Sequence, residues 1–548
     1  MAQAAHRDPA TDAGPSPDPG LRRARALLAA ASALMVAVVL YAGRDLSFFY
    51  DEWSFLLGRR SLTVANVLDG HNGHLSALPV LVYQGLRAVF GMRHYGPYQL
   101  VLAAVHVSAV WMLFELARRR IGAWPALVPA TLLLVLGTAY DDLVWAFQIG
   151  FVGSIAAGLA ALVALDRDTP RGDRWAGVWL LVALCSSSPA IPFVVLVTVD
   201  LALRRDLRRL VRVLWLPVTL YGLWYFGWGT GGPWPANPFD ISAVKSAPDY
   251  MMRMLVSGAQ GLSGYVQAGL GPALAVLFVA LLVVAVVRQG APPRLIAVVA
   301  AALAFWALTA VTRARFGQPD APRYLYPTAV FLLLMAVEMT AFHRAWLAAL
   351  PRRAAVVTGF LVAAAAVGGV GALGRGAGQL EIEQRATRAH LAAVRIAAAY
   401  TPAGFQPDAL GAPPLRAGPW LAAIARWGTD VPDARGVPSL PPHDRTIVDS
   451  RLTDLEFTGA RPVPAPAPGE CLWLPAGGEV PLRRSLVVVV PSGSRAALRL
   501  RRFGDRYPKA ALATLRGGAT RIAVRPDRAA VAWTARITPA AGVRVCRG

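Results

Sequence analysis

The sequence predicts an all-α polytopic membrane domain followed by a smaller, mainly-β domain on the extracytoplasmic side. Three observations predict it. Of 548 residues, 55% are hydrophobic and only 16% charged, a balance too apolar for a soluble chain of this length. Predominantly apolar runs of about 20 residues, enough to cross a bilayer, recur as far as Leu373, with arginines clustered between them. Beyond Leu373 the apolar density falls, and short alternating segments separated by turn residues take over. The formal charge is +23, and Lys245 and Lys509 are the only lysines, so arginine carries the excess. Those arginines recur between apolar runs, where the positive-inside rule puts them, rather than in one aromatic-interleaved patch. Nucleic acid is therefore not an expected partner.

Residues 1–20, rich in Pro, Asp and Ala, read as a disordered cytoplasmic tail. RRAR then precedes an uncharged run over 26–43, longer than the apolar core of a signal peptide, which gives a retained first span. Further spans follow near 98–116, closing on Arg118, Arg119 and Arg120, and near 121–138 and 148–165. A pair then rises from Trp175 to CSSSPAIP and returns to RRDLRRLVR. Serines and prolines break this pair, and such a break needs protein or water beside it, because backbone groups freed in lipid cost several kcal/mol each. Later spans lie near 213–226, before Arg288, and near 295–311, 326–342 and 354–373, with GWGTGGPWPANP opening a long outer loop after the first of them. The path makes about 11 transmembrane helices over residues 21–373, in a multi-pass plasma-membrane protein with a cytoplasmic N-terminus and an outside C-terminus.

Residues 374–470 read as an extracytoplasmic connector whose segment 380–400 is an amphipathic helix. From 471 to 548 the runs RSLVVVV, AALRLRRF, RIAVRP and AVAWTARI, parted by turn signals, suggest a small β-sandwich. Cys471 and Cys546 bracket it. Paired, they would close a loop worth roughly 4 kcal/mol in the chain-entropy model; otherwise they are two buried thiols. Cys185 is a packing residue in a span, and no CxxC or Cys/His zinc spacing occurs.

The chemistry concentrates in three outer loops. FFYDEWSF sets Asp51 and Glu52 among Phe48, Phe49, Tyr50, Trp53 and Phe55. Carboxylates are costly within a bilayer, so acids beside a span face water, a partner or a site. Were the segment helical, adjacent side chains would diverge by about 100° and only one acid could reach a given atom. DGHNGHLS follows, with His71, Asn72 and His74; the two histidines share a face if a helix begins there, and they could bind a sugar or phosphate or, with a carboxylate, a divalent metal. AYDDLVWAFQIGF adds a second acidic pair, Asp141 and Asp142, with Gln148 close behind. Each pair lies just past an odd-numbered span, so both belong to the outer face and could converge on one cavity. TRARFGQPDAPRY then places Arg313, Arg315 and Arg323, the last beside Tyr324, on the side where the positive-inside rule does not explain them.

This layout resembles the C-type membrane glycosyltransferases, the GT-C superfamily of protein mannosyltransferases, aminoarabinose transferases and arabinofuranosyltransferases. The resemblance rests on DEW with HNGHLS after the first span, the acidic pair with FQIGF after the third, the broken middle segments and the RY loop before a late span. It covers most of the first 373 residues. It implies a polyprenyl-phosphate sugar donor, a glycan, lipid or protein hydroxyl acceptor at the outer face, and a carboxylate general base. Asp51 takes that role with Glu52 in support, although DEW departs from the DD or ExD forms of the family and leaves open which acid is catalytic. Arg323 with Tyr324 would receive the phosphate, while His71, Asn72, His74, Asp141, Asp142 and Gln148 would bind substrate. Asp51, His71, His74 and Asp141 are the candidates for a divalent metal, Mg or Mn. A transporter or flippase of a lipid-linked substrate is the rival reading, and a glycan-binding scaffold a third.

Overall fold

The computed structural model describes residues 18–59, 61–229, 241–342, 352–467, 469, 471–526, 531–539 and 542–547. The expected N-terminal tail up to residue 17, and residues 230–240 of the long outer loop, lie outside the described residues. The chain folds as two compact units: Met1–Gly43, Leu68–Leu78 and Gln99–Gly376 form the first, and Arg44–Val67, Pro79–Tyr98 and Ala377–Gly548 the second.

Among the described residues nine helices are long and apolar enough to cross a membrane: Pro19–Ala42, Gly96–Ile121, Leu127–Val144, Ala146–Leu165, Leu207–Gly229, Gly271–Arg288, Pro293–Arg313, Pro322–Ala341 and Arg352–Ile396. They correspond to nine of the expected spans, but the third runs Leu127–Val144 rather than near 121–138 and so includes Asp141 and Asp142, which were expected just past its end. The other two, the broken pair, are the shorter helices Pro170–Ser186 and Ser188–Leu203. Pro170–Ser186 opens with a charged turn containing Arg171, Asp173 and Arg174, which leaves only its later part apolar. Ser187 is fully extended, and Pro189 and Pro192 start the returning segment, positions where a missing N–H costs nothing.

In the first unit, the long third helix is locally unwound. An α-helix over Leu127–Leu134 gives way to a 3₁₀ turn at Gly137–Ala139 and then to the short helix Tyr140–Val144. The break fits against the last long helix through glycines. A Cβ on Gly137 would lie 1.9 Å from the Gly369 carbonyl oxygen, and one on Gly376 would lie 2.1 Å from the Tyr140 ring. Small residues let helix backbones approach this closely. At the arginine-rich ends of the helices, Arg294 bonds Asp200 at 2.9 Å and Asp166 at 3.2 Å, while Arg120 bonds Asp166 at 2.7 Å and also pairs with Glu338. One ion network thus ties the helices that carry these residues.

In the second unit, the chain after Ile396 folds through the helices Ala417–Trp427 and Pro442–Glu456 into seven strands. These are β1 Phe457–Pro462, β2 Cys471–Leu474, β3 Glu479–Leu482, β4 Ser485–Arg501, β5 Ala513–Val524, β6 Trp533–Pro539 and β7 Val543–Arg547. All pairings are antiparallel. The sequence suggested two packed sheets, but the hydrogen bonding is continuous through the 17-residue β4. One edge of β4 carries β5; the other carries β7 over its first half and β6 over its second, with a register shift between Val490 and Arg495. Cys471 stands directly opposite Cys546 across β2 and β7, and the two form a disulfide. The segment 380–400, expected as a separate amphipathic helix, continues the helix Arg352–Ile396 without a break as far as Ile396.

Candidate functional site

The candidates named from the sequence fall in both units, and each group has its own architecture. Asp51 and Glu52 belong to the second unit; His71, Asn72, His74, Asp141, Asp142, Gln148, Arg323 and Tyr324 belong to the first.

FFYDEWSF does not form a regular helix. Tyr50 has φ +49, a left-handed conformation rare outside glycine, and the chain then winds through a π-helical turn at Ser54–Gly58. This backbone separates the two acids. Glu52 is wholly buried, its Oε1 accepting the Tyr83 hydroxyl at 2.6 Å and the Tyr95 hydroxyl at 3.0 Å, and its Oε2 accepting the Phe49 N–H at 2.8 Å. Burial, with the carboxylate alongside, pushes the Tyr83 phenol well above its ordinary value, so it stays a donor. Phe48 packs edge-on to Tyr95 and Tyr98, and Phe55 to Tyr83, which closes an aromatic cage around Glu52. Asp51 is only half-buried; its carbonyl accepts the Ser54 hydroxyl at 2.9 Å and so begins the turn.

The segment is pinned at both ends. The Ser47 N–H donates to Gln384 Oε1 at 2.8 Å, and the left-handed Tyr50 donates its N–H to the Gly411 carbonyl at 2.9 Å. Gly411 is held in turn by Asp408, whose carboxylate takes the N–H groups of Leu410 and Gly411 and the Thr387 hydroxyl at 2.6 Å. The carbonyls of Phe55 and Leu56 are satisfied by Gln84 and Arg87. Tyr83 and Tyr95 were not legible as partners of Glu52, because nothing local marks residues 31 and 43 positions away.

In the first unit His71 and His74 do not begin a helix. They pair as an antiparallel bridge, each N–H bonded to the other's carbonyl at 2.9 Å, across a two-residue turn in which Asn72 and Gly73 have φ +52 and +81. That is a type I′ hairpin turn, for which Asn-Gly is the favoured sequence. The histidines therefore share a face for a reason other than helical spacing. His71 is buried with its ring edge-on to Phe147, which stacks on Trp145. His74 Nε2 lies 3.4 Å from an Arg313 nitrogen; burial, Arg313 and His71 push its pKa down to about 3, so it accepts from the guanidinium as a neutral ring.

Asp141 and Asp142 sit on the short helix after the break, both buried. Asp141 lies 3.8 Å from Arg323, which is partly exposed and stacks over the Tyr324 ring at 5.1 Å. The structure thus brings Asp141, which the sequence reading grouped with the histidines, beside Arg323 and Tyr324. Asp142 is fully buried, and neither carboxylate oxygen has a hydrogen-bond partner among the described residues. Gln148 is buried at the end of the next 3₁₀ turn. A pair not foreseen lies deeper: His106 Nδ1 meets the Tyr326 hydroxyl at 2.9 Å and its Nε2 meets the Leu134 carbonyl at 3.1 Å.

The metal candidates fit a cation poorly. Among the described residues no three His, Cys, Asp or Glu side chains come together, and His74 faces a guanidinium, a setting that repels a divalent ion.

Fold and site together define a multi-pass helical membrane protein with a disulfide-closed β domain and two separately built acidic centres. No family model and no curated protein matches the chain. Among solved structures it is similar to the crystal structure of ArnT from Cupriavidus metallidurans bound to undecaprenyl phosphate, at 16% identity and a TM-score of 0.46, over 69% of this chain and 81% of that one. A likeness this distant assigns no residue.

Proposed function

We propose that the chain is a membrane glycosyltransferase of the C type, moving a sugar from a polyprenyl-phosphate donor to a hydroxyl acceptor of the cell envelope at the outer face. The observation that carries this reading is the split between the adjacent acids. Glu52 is wholly buried and bonded to three protein donors, whereas Asp51 is only half-buried, on a segment pinned at both ends. A general base needs that combination of reach and fixed position.

In the proposed reaction Asp51 takes the acceptor proton as the acceptor oxygen bonds to the anomeric carbon. The bond from that carbon to the phosphate oxygen breaks, and its electron pair leaves with the phosphate. A lipid phosphate departs as a stable anion, so one carboxylate suffices, unlike the pair used in glycoside hydrolysis. Arg323 offers a guanidinium fork to the departing phosphate, and Tyr324 and Asp141 hold that fork in place. His71, Asn72, His74, Asp142 and Gln148 are assigned to substrate binding, and no step is drawn through a metal.

The test is transfer of radiolabelled sugar from a polyprenyl-phosphate donor in proteoliposomes. Asp51→Asn should abolish transfer, and wild-type activity in that variant would remove Asp51 as base. Arg323→Ala should weaken donor binding in a folded protein, and unchanged donor affinity would count against the phosphate role. One observation favours transport instead: Asp142 is a buried acid within a candidate span, a common mark of an ion path. Counterflow of labelled substrate without covalent transfer would select that reading.

A further inference from the structure

The β domain holds a charge excess out of proportion to its size. Residues 457–548 contain sixteen Arg and Lys against four Asp and Glu, a net +12 of the whole chain's +23. A composition bias spread along the chain would give this sixth of the sequence a far smaller share. The strand register also places like charges face to face. Arg461 is directly opposite Arg521, Arg495 opposite Arg516, and Arg499 opposite Arg536. Directly opposed like charges destabilise a sheet. Arg461, Arg495, Arg516 and Arg521 are exposed, and none makes an ion pair among the described residues.

One face organises part of this charge. A cross-strand row runs Arg461, Arg521, Val487, Cys546, Cys471 through β1, β5, β4, β7 and β2. Two residues along, on the same face, Ala519, Val489, Arg544 and Trp473 form the next row. Val487, Ala519 and Cys546 are buried in a small apolar cluster, while Trp473 is 64% exposed at the edge strand. The face therefore presents guanidiniums and one indole within two rows, with little exposed aliphatic surface between them.

We infer that this face is a docking surface for an acidic glycan, a polysaccharide bearing carboxylate or phosphate groups. Guanidinium forks match those anions bidentately, and the exposed indole supplies a flat apolar plane for a sugar ring. A lipid surface fits less well, because interfacial binding scales with buried apolar area and this face offers a single exposed ring. The anionic partner would also offset the repulsion that the register builds in. Taking the glycan to be the acceptor rests on the transferase reading above; the binding itself does not.

The experiment uses the full-length protein in nanodiscs of phosphatidylcholine alone, titrated with fluorescein-labelled polygalacturonate and, separately, with neutral dextran. Polygalacturonate should bind, with affinity falling as salt rises, and dextran should not. Joint substitution Arg461→Gln, Arg521→Gln and Arg544→Gln should weaken polygalacturonate binding by about tenfold or more. Its melting temperature should stay level or rise, since opposed charges have been removed. Should that variant misfold, Arg521→Lys alone, which keeps the charge but not the fork, should weaken binding in part and Arg521→Glu alone should weaken it more. Trp473→Ala should weaken polygalacturonate but leave inorganic polyphosphate binding unchanged. Equal binding of dextran, or wild-type binding by the triple variant, overturns the proposal. So does a result in which phosphatidylglycerol in the nanodisc displaces the polymer from the wild type, because the face would then belong to the bilayer. Asp51→Asn should bind the polymer like wild type, so failure of the catalytic reading and failure of this surface are read separately.

Discussion

Replacing Glu52 by glutamine would turn an acceptor-only group into one whose amide end cannot receive the Tyr83, Tyr95 and Phe49 donors together. At least one buried donor then loses its partner, at a cost of about 1–3 kcal/mol. Glu52→Gln should accordingly lower the melting temperature. Asp51→Asn, on a half-buried side chain, should leave melting unchanged while lowering kcat by about 10²- to 10⁴-fold, the usual worth of a general base. A thermal melt beside a transfer assay separates the two, and the reverse pattern would exchange the roles of the acids. His74 gives a pH prediction. Its folded pKa is lowered to about 3, while an unfolded histidine titrates near 6.5. Between those values the unfolded chain binds a proton that the folded chain does not. Stability is therefore complete above about pH 6.5 and falls as the pH drops toward 3, by at most about 1.4 kcal/mol per pH unit. His74→Gln should flatten the melting profile between pH 7 and pH 4.5, and an unaltered slope would assign it to other groups.

At the scale of elements, the ion network around Arg294 should behave as a unit. Arg294 and Asp200 are both nearly fully buried, and Arg294→Ala leaves Asp200 with only the half-exposed Arg204 as a charged partner, so the loss should fall below the about 3–5 kcal/mol of a buried charge left wholly unpaired. The double variant Arg294→Met with Asp200→Asn removes both charges and should lose less than Arg294→Ala alone in detergent melts. Additive losses would show that the two residues do not act together. The long helices and the strand-rich end were legible beforehand because hydropathy and alternation are local signals. The Asn72-Gly73 turn was legible in principle too, yet two histidines three apart also match a helical face, and only the backbone decides between the two patterns. The partners of Glu52 and the His106–Tyr326 pair were not legible, because tertiary packing alone brings those residues together. The close approaches at Gly137 and Gly369 belong to the same class: the residues are visible in the sequence, but the backbone each must admit is not.

The whole molecule ties its covalent chemistry to its orientation. The chain has three cysteines, of which Cys471 and Cys546 are bonded and Cys185 is not. Such a bond persists outside the reducing cytoplasm, and the proposed topology, an odd number of spans after a cytoplasmic N-terminus, delivers the β domain to that side. The bond closes a 75-residue separation, worth about 4.5 kcal/mol in the chain-entropy model, in a domain whose edge strand β2 is held by β7. Maleimide-polyethylene glycol added to denatured, unreduced protein should therefore shift the band by one adduct, and by three after reduction. An alkaline phosphatase fused after residue 548 should be active. Cys471→Ser should leave the fusion active while making the β domain open to protease at lower temperature. Three adducts before reduction, or an inactive fusion, would place the domain on the cytoplasmic side and remove the outer-face acceptor from the proposed reaction.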